Sequence, residues 1–298
     1  MTFTTFERFV AMLLLAEGFA LVFMLLGAIA LWAMHRFPAK TPYPDTTLVP
    51  PGSRARRALL SQRSTLALYA GTGLVLALSS VTLWYTLTWQ VPFVPLWWVK
   101  WVVLLVAIFL IWGYGWLCLI GLRSYLAWRA EWHANLAVGG VLKGFALSGH
   151  QVFHDVTVAD LLVDHVVVGP KAVFLINVAV RRKPLGTKDV VVKLLPVERQ
   201  LDFGLRKEFD AVFAATRRVT EMSRVLEKLL GHKSRPLSAI VVPGWETAPT
   251  EAGDHLLFNL ANLASLLSWV RPQDGLLSED IPAINKQLLT MAREPRPV

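Results

Sequence analysis

Apolar positions follow two different patterns along this chain. Up to residue 122 they form three long, nearly unbroken runs, at about 9–34, 65–89 and 95–122. Each exceeds the roughly 20 residues that carry an α-helix across a bilayer, so the pattern predicts three transmembrane helices. The first run is too long for a secretion signal and lacks a clear small-residue cleavage site. Two more runs follow it, so it reads as a retained span.

From about Trp128 the apolar runs shorten and their periods change. RAEWHANLAVGGVLKGFAL predicts a helix, weakened by Gly139, Gly140 and Gly144. HQVFHDVTV alternates and is β-branched, as a strand is. VDHVVVG and AVFLINVAV predict two more strands, with the turn at Pro170-Lys171. AVFLINVAV is apolar on both faces, the signature of a central strand in a covered sheet. KDVVVKLLPV predicts a fourth strand and 206–230 a long amphipathic helix. PLSAIVVPGW is a buried strand stopped by Pro243-Gly244, HLLFN a short strand, and ANLASLLSWV and IPAINKQLLTMA two closing helices. This order predicts a three-layer α/β domain with a mixed sheet over 123–298, behind a membrane region over 1–122.

Charge adds an orientation. The loop 35–64 carries Arg36, Lys40, Arg54, Arg56, Arg57 and Arg63, whereas the loop around QVPFVP carries no basic residue. Arg123 and Arg129 follow the third run. Basic loops stay inside, so the N-terminus lies outside and the C-terminal half in the cytoplasm of an inner-membrane protein. Trp84, Tyr85, Trp89, Trp97, Trp98 and Trp101 surround the uncharged loop, as an aromatic belt at the outer interface does. Glu17 and Lys100 are the ionisable residues within the runs, and the cost of burying either alone predicts a Glu17–Lys100 contact. The proline-rich first part of loop 35–64 is expected to be extended. Its SRARR segment is read as a topology signal rather than a lipid site. The formal net charge is +9, and 8 of the basic residues and 3 of the acidic ones precede residue 123. The polar half is therefore only mildly basic. The single Cys118 rules out an internal disulfide framework.

Candidate chemistry centres on DHVVVGPKAVFLINVAVRRKP. VFHDV at 152–156, VDHVVVGPKAVFLI at 163–176, RRKP at 181–184 and VVPGW at 241–245 occur in that order. In this the C-terminal half resembles the NERD, or nuclease-related, domain over roughly 130–270. The resemblance implies a restriction-endonuclease-like fold. It also implies a metal held between an aspartate opening one strand and a Glu-x-Lys on the next. Asp164 matches the aspartate. The glutamate position is Asn177 and the lysine position Ala179, so neither the second carboxylate nor the cation is present. Strand side chains alternate, so positions 177 and 179 share a face. A further family glutamate, expected on the preceding helix, falls near Asn135. A Gln-Ala pair expected in the long helix is missing from 211–226.

These losses together predict a catalytically inactive nuclease-fold module that acts in binding or scaffolding. No cofactor is then expected. A first alternative is an active Mg²⁺-dependent DNA or RNA nuclease with a site rebuilt around Asp164, for which Asp155 offers an acid and Arg181 or Lys183 a displaced cation. A second alternative is a subunit of a membrane complex. Arg181, Arg182 and Lys183 form a basic patch suited to phosphate backbones. The partners implied are membrane lipid and either nucleic acid or a membrane protein. His150 and His154, four apart on a strand, lie about 13 Å from each other and predict no shared metal.

Overall fold

The computed structural model describes residues 49–89, 97–170, 172–181, 183, 190–204, 206–249, 254–269 and 276–292. The chain divides into two compact units, one of Met1–Pro42 and Arg57–Trp128, the other of Tyr43–Arg56 and Arg129–Val298. The first run, Glu17 and therefore the Glu17–Lys100 contact lie outside the described residues, as does Arg182.

Two described helices are long and apolar enough to cross a bilayer: α1 (Ser53–Trp89) and α2 (Trp97–Leu147). Within the first unit they expose large apolar side chains. Phe109 is 71% exposed and Trp112 70%, surfaces that water does not favour and lipid does. A Cβ at Gly73 would lie 3.0 Å from the Cβ of Tyr114, so glycine lets the two helices approach there. Helix α1 begins at Ser53, inside the segment read as loop 35–64, and well ahead of the apolar run at 65. Helix α2 joins the third apolar run to the helix expected after Trp128 without a break. Its 51 residues span about 76 Å at 1.5 Å each. The hydrocarbon core of a bilayer is about 30 Å thick. The apolar run up to residue 122 is long enough for that thickness, and the remainder belongs to the polar half.

The second unit is mixed α/β. Its main sheet has the order β1-β2-β3-β7-β9, formed by β1 (Gln151–Val158), β2 (Leu161–Val168), β3 (Val173–Val178), β7 (Leu237–Val241) and β9 (His255–Phe258). The pairs β1/β2 and β2/β3 are antiparallel, while β3/β7 and β7/β9 are parallel. Both faces are covered, because the central strands are apolar at successive positions. On one side Val167, Phe174, Ile176, Ala239 and Val241 pack on Val138, Leu142 and Phe145 of α2 and on the 3-10 turn Leu263–Ser268. On the other, Val166, Val168, Val173 and Leu175 pack on Val219, Met222 and Leu226 of α3 (Asp210–Leu230) and on Ile284 and Leu288 of α4 (Asp280–Met291).

Three details differ from the pattern-based expectation. KDVVVKLLPV does not join the main sheet. Its strand β4 (Val191–Leu195) pairs with β5 (Gln200–Asp202) and β8 (Glu246–Thr247) in a second sheet completed by β6 (Lys207–Glu208). That sheet closes over a third apolar cluster holding Ala179, Val192, Leu201, Trp245 and the first turns of α3. The long helix accordingly starts at Asp210, since Lys207 and Glu208 are in the sheet. ANLASLLSWV makes only the 3-10 turn, with Asn262 and Asn259 exchanging side-chain to backbone bonds ahead of it.

Candidate functional site

The β2–β3 hairpin brings Asp164 beside Asn177. The pairing of His165 with Ile176 sets that register. Both side chains lie on the face turned to α3, and both are buried. A buried carboxylate needs a charge partner and hydrogen bonds. The Val178 N–H donates to Asp164 Oδ2 at 2.8 Å. The Arg218 guanidinium comes down from α3, its Nη1 donating to Asn177 Oδ1 at 2.8 Å and lying 3.8 Å from Asp164 Oδ2. Burial pushes the Asp164 pKa up, Arg218 and the Val178 N–H oppose the rise, and the charge of Asp155 adds to it. Ala179 shares the Asn177 face, as alternation requires. Its side chain is packed in the third apolar cluster, and its N–H donates to the Val241 carbonyl at 2.8 Å. Position 179, where the resemblance implies a lysine, is thus filled by core packing.

The charges of two further carboxylates act on this site. Asp155 stands opposite Asp164, between the pairs His154–His165 and Val156–Val163. Its φ of +50° turns the strand there, a conformation that Asp tolerates better than most residues. Its Oδ2 accepts from the Ser53 N–H at 2.6 Å and the Arg54 N–H at 3.4 Å. The strand acid that the sequence offered as a replacement ligand therefore serves as the N-terminal cap of helix α1. Glu131, on α2 beyond the apolar run, was not foreseen. Burial raises its pKa, the charge of Asp164 raises it further, Arg54 opposes, Asp155 adds and Arg218 opposes. Asn135, the position proposed for a helix glutamate, lies one turn later. It is buried, and its Nδ2 donates to the Glu131 carbonyl at 3.0 Å. Its Cβ sits where a side chain at Gly52 would meet it at 3.1 Å, and Gly52 has φ +70°. The spacing of four between Glu131 and Asn135 was the available signal. So was Arg218, which borders the buried stripe of Ala215, Val219 and Met222 on its helix.

Of the basic patch, the described Arg181 and Lys183 do not join this group. Arg181 forms an ion pair with the buried Glu208 of β6, and its Nη1 donates to the Val180 carbonyl at 2.6 Å. Its own carbonyl accepts from Trp245 Nε1 at 3.0 Å, and Lys183 Nζ lies 5.6 Å from the Trp245 ring centroid. Burial and the neighbouring Arg206 lower the Arg181 pKa, and Asp210 opposes them. The cation beside Asp164 is therefore Arg218, not Arg181 or Lys183. On the opposite face of the sheet, His154 Nδ1 and His165 Nδ1 meet at 2.7 Å, so one carries the proton and the other accepts it. Burial lowers the His154 pKa to about 4, with Lys143 contributing. Burial and His154 hold His165 well below the ordinary range.

A divalent cation fits this arrangement poorly. It would need two or more anionic oxygens turned toward it. Asn177 is neutral, Asp155 is engaged by backbone N–H groups, and a guanidinium already lies between Asp164 and Asn177. Among the described residues, no three His, Cys, Asp or Glu side chains are grouped to hold a metal. Comparison with protein-family models, curated proteins and solved structures finds no match to this chain.

Proposed function

We propose that this is an inner-membrane protein with three spans, its N-terminus outside and its polar half in the cytoplasm. The polar half is read as a nuclease-related module that binds or scaffolds a partner and does not cleave. The observation that carries the reading is Arg218, a resident cation between the strand positions where the NERD resemblance implies a metal. A guanidinium there satisfies Asn177 and offsets the charge of Asp164, so the site is electrostatically closed without an ion. The two apolar helices support the anchoring, and the basic loop 35–64 supports the orientation.

Mn²⁺ binding by the full chain in nanodiscs, followed by EPR, tests the plugged site. The reading expects no tight Mn²⁺ site in the wild type. A tight site that is lost in Asp164→Asn would overturn it. That result would favour the second reading, an active Mg²⁺-dependent nuclease rebuilt around Asp164. One observation speaks for that second reading: the charges of Asp155 and Glu131 both act in the neighbourhood of Asp164.

A further inference from the structure

Helix α3 presents an exposed aromatic pair that neither the core nor the site uses. Phe209 is 46% exposed and Phe213 50%, and their rings stack at 5.4 Å with planes 24° apart. Residues 209, 213 and 217 follow at spacings of four, so Arg217 continues the same face of the helix. Arg206 precedes the pair. Arg206 and Arg217 are both exposed, and neither makes an ion pair among the described residues. Of the nearby charges, Lys207 pairs with Glu198 and Arg181 with Glu208, and Asp210 is an exposed acid at the start of the helix.

We infer that this face, Phe209–Phe213–Arg217, with Arg206 just ahead of it in the chain, dips into an anionic lipid surface. Exposed aromatics flanked by cations suit the interfacial zone, where the rings enter the acyl boundary and the guanidiniums stay among headgroup phosphates. The outer side of a helix is convex, which suits a deformable lipid surface better than an extended peptide or strand that needs a groove. The inference rests on the proposed membrane anchoring, which holds the polar half at a leaflet bearing anionic lipid and makes even weak insertion effectively intramolecular.

The test uses the full chain in a Cys118→Ser background, reconstituted in nanodiscs with and without phosphatidylglycerol. A nitroxide is attached at Phe213→Cys, and in a second variant at Thr220→Cys on the same face. Collisional EPR compares oxygen with a water-soluble nickel complex. The inference expects the 213 label to favour oxygen in anionic discs and to revert toward water when Arg206 and Arg217 become Gln. Each lost cation should lower the inserted fraction relative to the free one about fivefold. A label at Val197, 96% exposed, should read water throughout. If the labels at 213 and 220 read water while one at Phe109 reads lipid, the inference fails and the anchoring stands. If the Phe109 label also reads water, the anchoring itself fails. Immobilisation of the 213 label by an oligonucleotide or an acidic peptide in neutral discs would overturn the lipid assignment.

Discussion

The backbone N–H of Ser53 is held at 2.6 Å by Asp155 Oδ2, across 102 residues of sequence. This bond makes a strand residue the cap of a helix whose later turns are apolar enough to cross a bilayer. Packing supports it from the other side. Gly139 on α2 leaves room for Pro51, since a Cβ there would approach the Pro51 ring to 2.7 Å. The glycine that weakened the helix on propensity grounds is the one that lets this segment dock.

Loss of the cap should loosen the first turn of α1. Asp155→Ala removes the acceptor and also places alanine at φ +50°, so it costs the cap, about 1 kcal/mol, plus the left-handed strain. Asp155→Asn keeps an oxygen and the backbone tolerance, and should cost less. Hydrogen exchange of the amides at 53–57 should speed up in the order wild type, Asn, Ala. Equal exchange in all three would remove the cap from the account.

Removing the guanidinium should be severe. Arg218→Met leaves Asp164 buried without its charge partner and Asn177 Oδ1 without its donor. A broken buried pair typically costs about 3–5 kcal/mol. Adding Asp164→Asn should recover a large part of that loss, because the uncompensated charge is gone. Denaturation of the two single variants and the double variant measures the coupling. Additive losses would show that Arg218 and Asp164 do not act as a pair.

Two pH slopes oppose each other. Glu131 ionises above its ordinary value near 4.5 in the folded chain. The native state thus holds its proton to higher pH than the unfolded state does. Stability then falls as pH rises through the raised pKa. Glu131→Gln should therefore gain stability at pH 7 relative to pH 4, read by thermal unfolding at both values. A gain of the same size at the two pH values would contradict the raised pKa.

The histidine pair works the other way. His154 falls from 6.5 to about 4, so between those values the unfolded chain takes a proton that the folded chain refuses. Stability is present above pH 6.5 and is lost as pH falls toward 4, by about 3 kcal/mol. His154→Leu should flatten this loss. An unchanged acid slope in that variant would show that the buried pair is not its source.

How much of this was readable depends on where the information lies. The β2–β3 hairpin was legible because its residues are apolar on both faces and its turn is marked by Pro170. Asp164, Asn177 and Ala179 fell where strand alternation put them. The assignment of β4 to a second sheet was not legible, since VVVKLL looks the same whichever sheet it joins. Arg218 does not stand out in the sequence, because basic residues on a helix are usually solvated. Its place on the border of the buried stripe was the missed sign. Glu131 was missed because its neighbours Asp164, Asp155 and Arg54 are distant in sequence. The basic run at 181–183 read as one patch, yet Arg181 is turned to Glu208, a partner 27 residues away.

The most direct test of the central claim is cleavage by the full chain in nanodiscs. End-labelled single- and double-stranded DNA is incubated with Mg²⁺ or Mn²⁺, with Asp164→Ala as the control. The proposed reading predicts no cleavage by either protein, because Arg218 already lies between Asp164 and Asn177. Cleavage by the wild type that disappears in Asp164→Ala would contradict it.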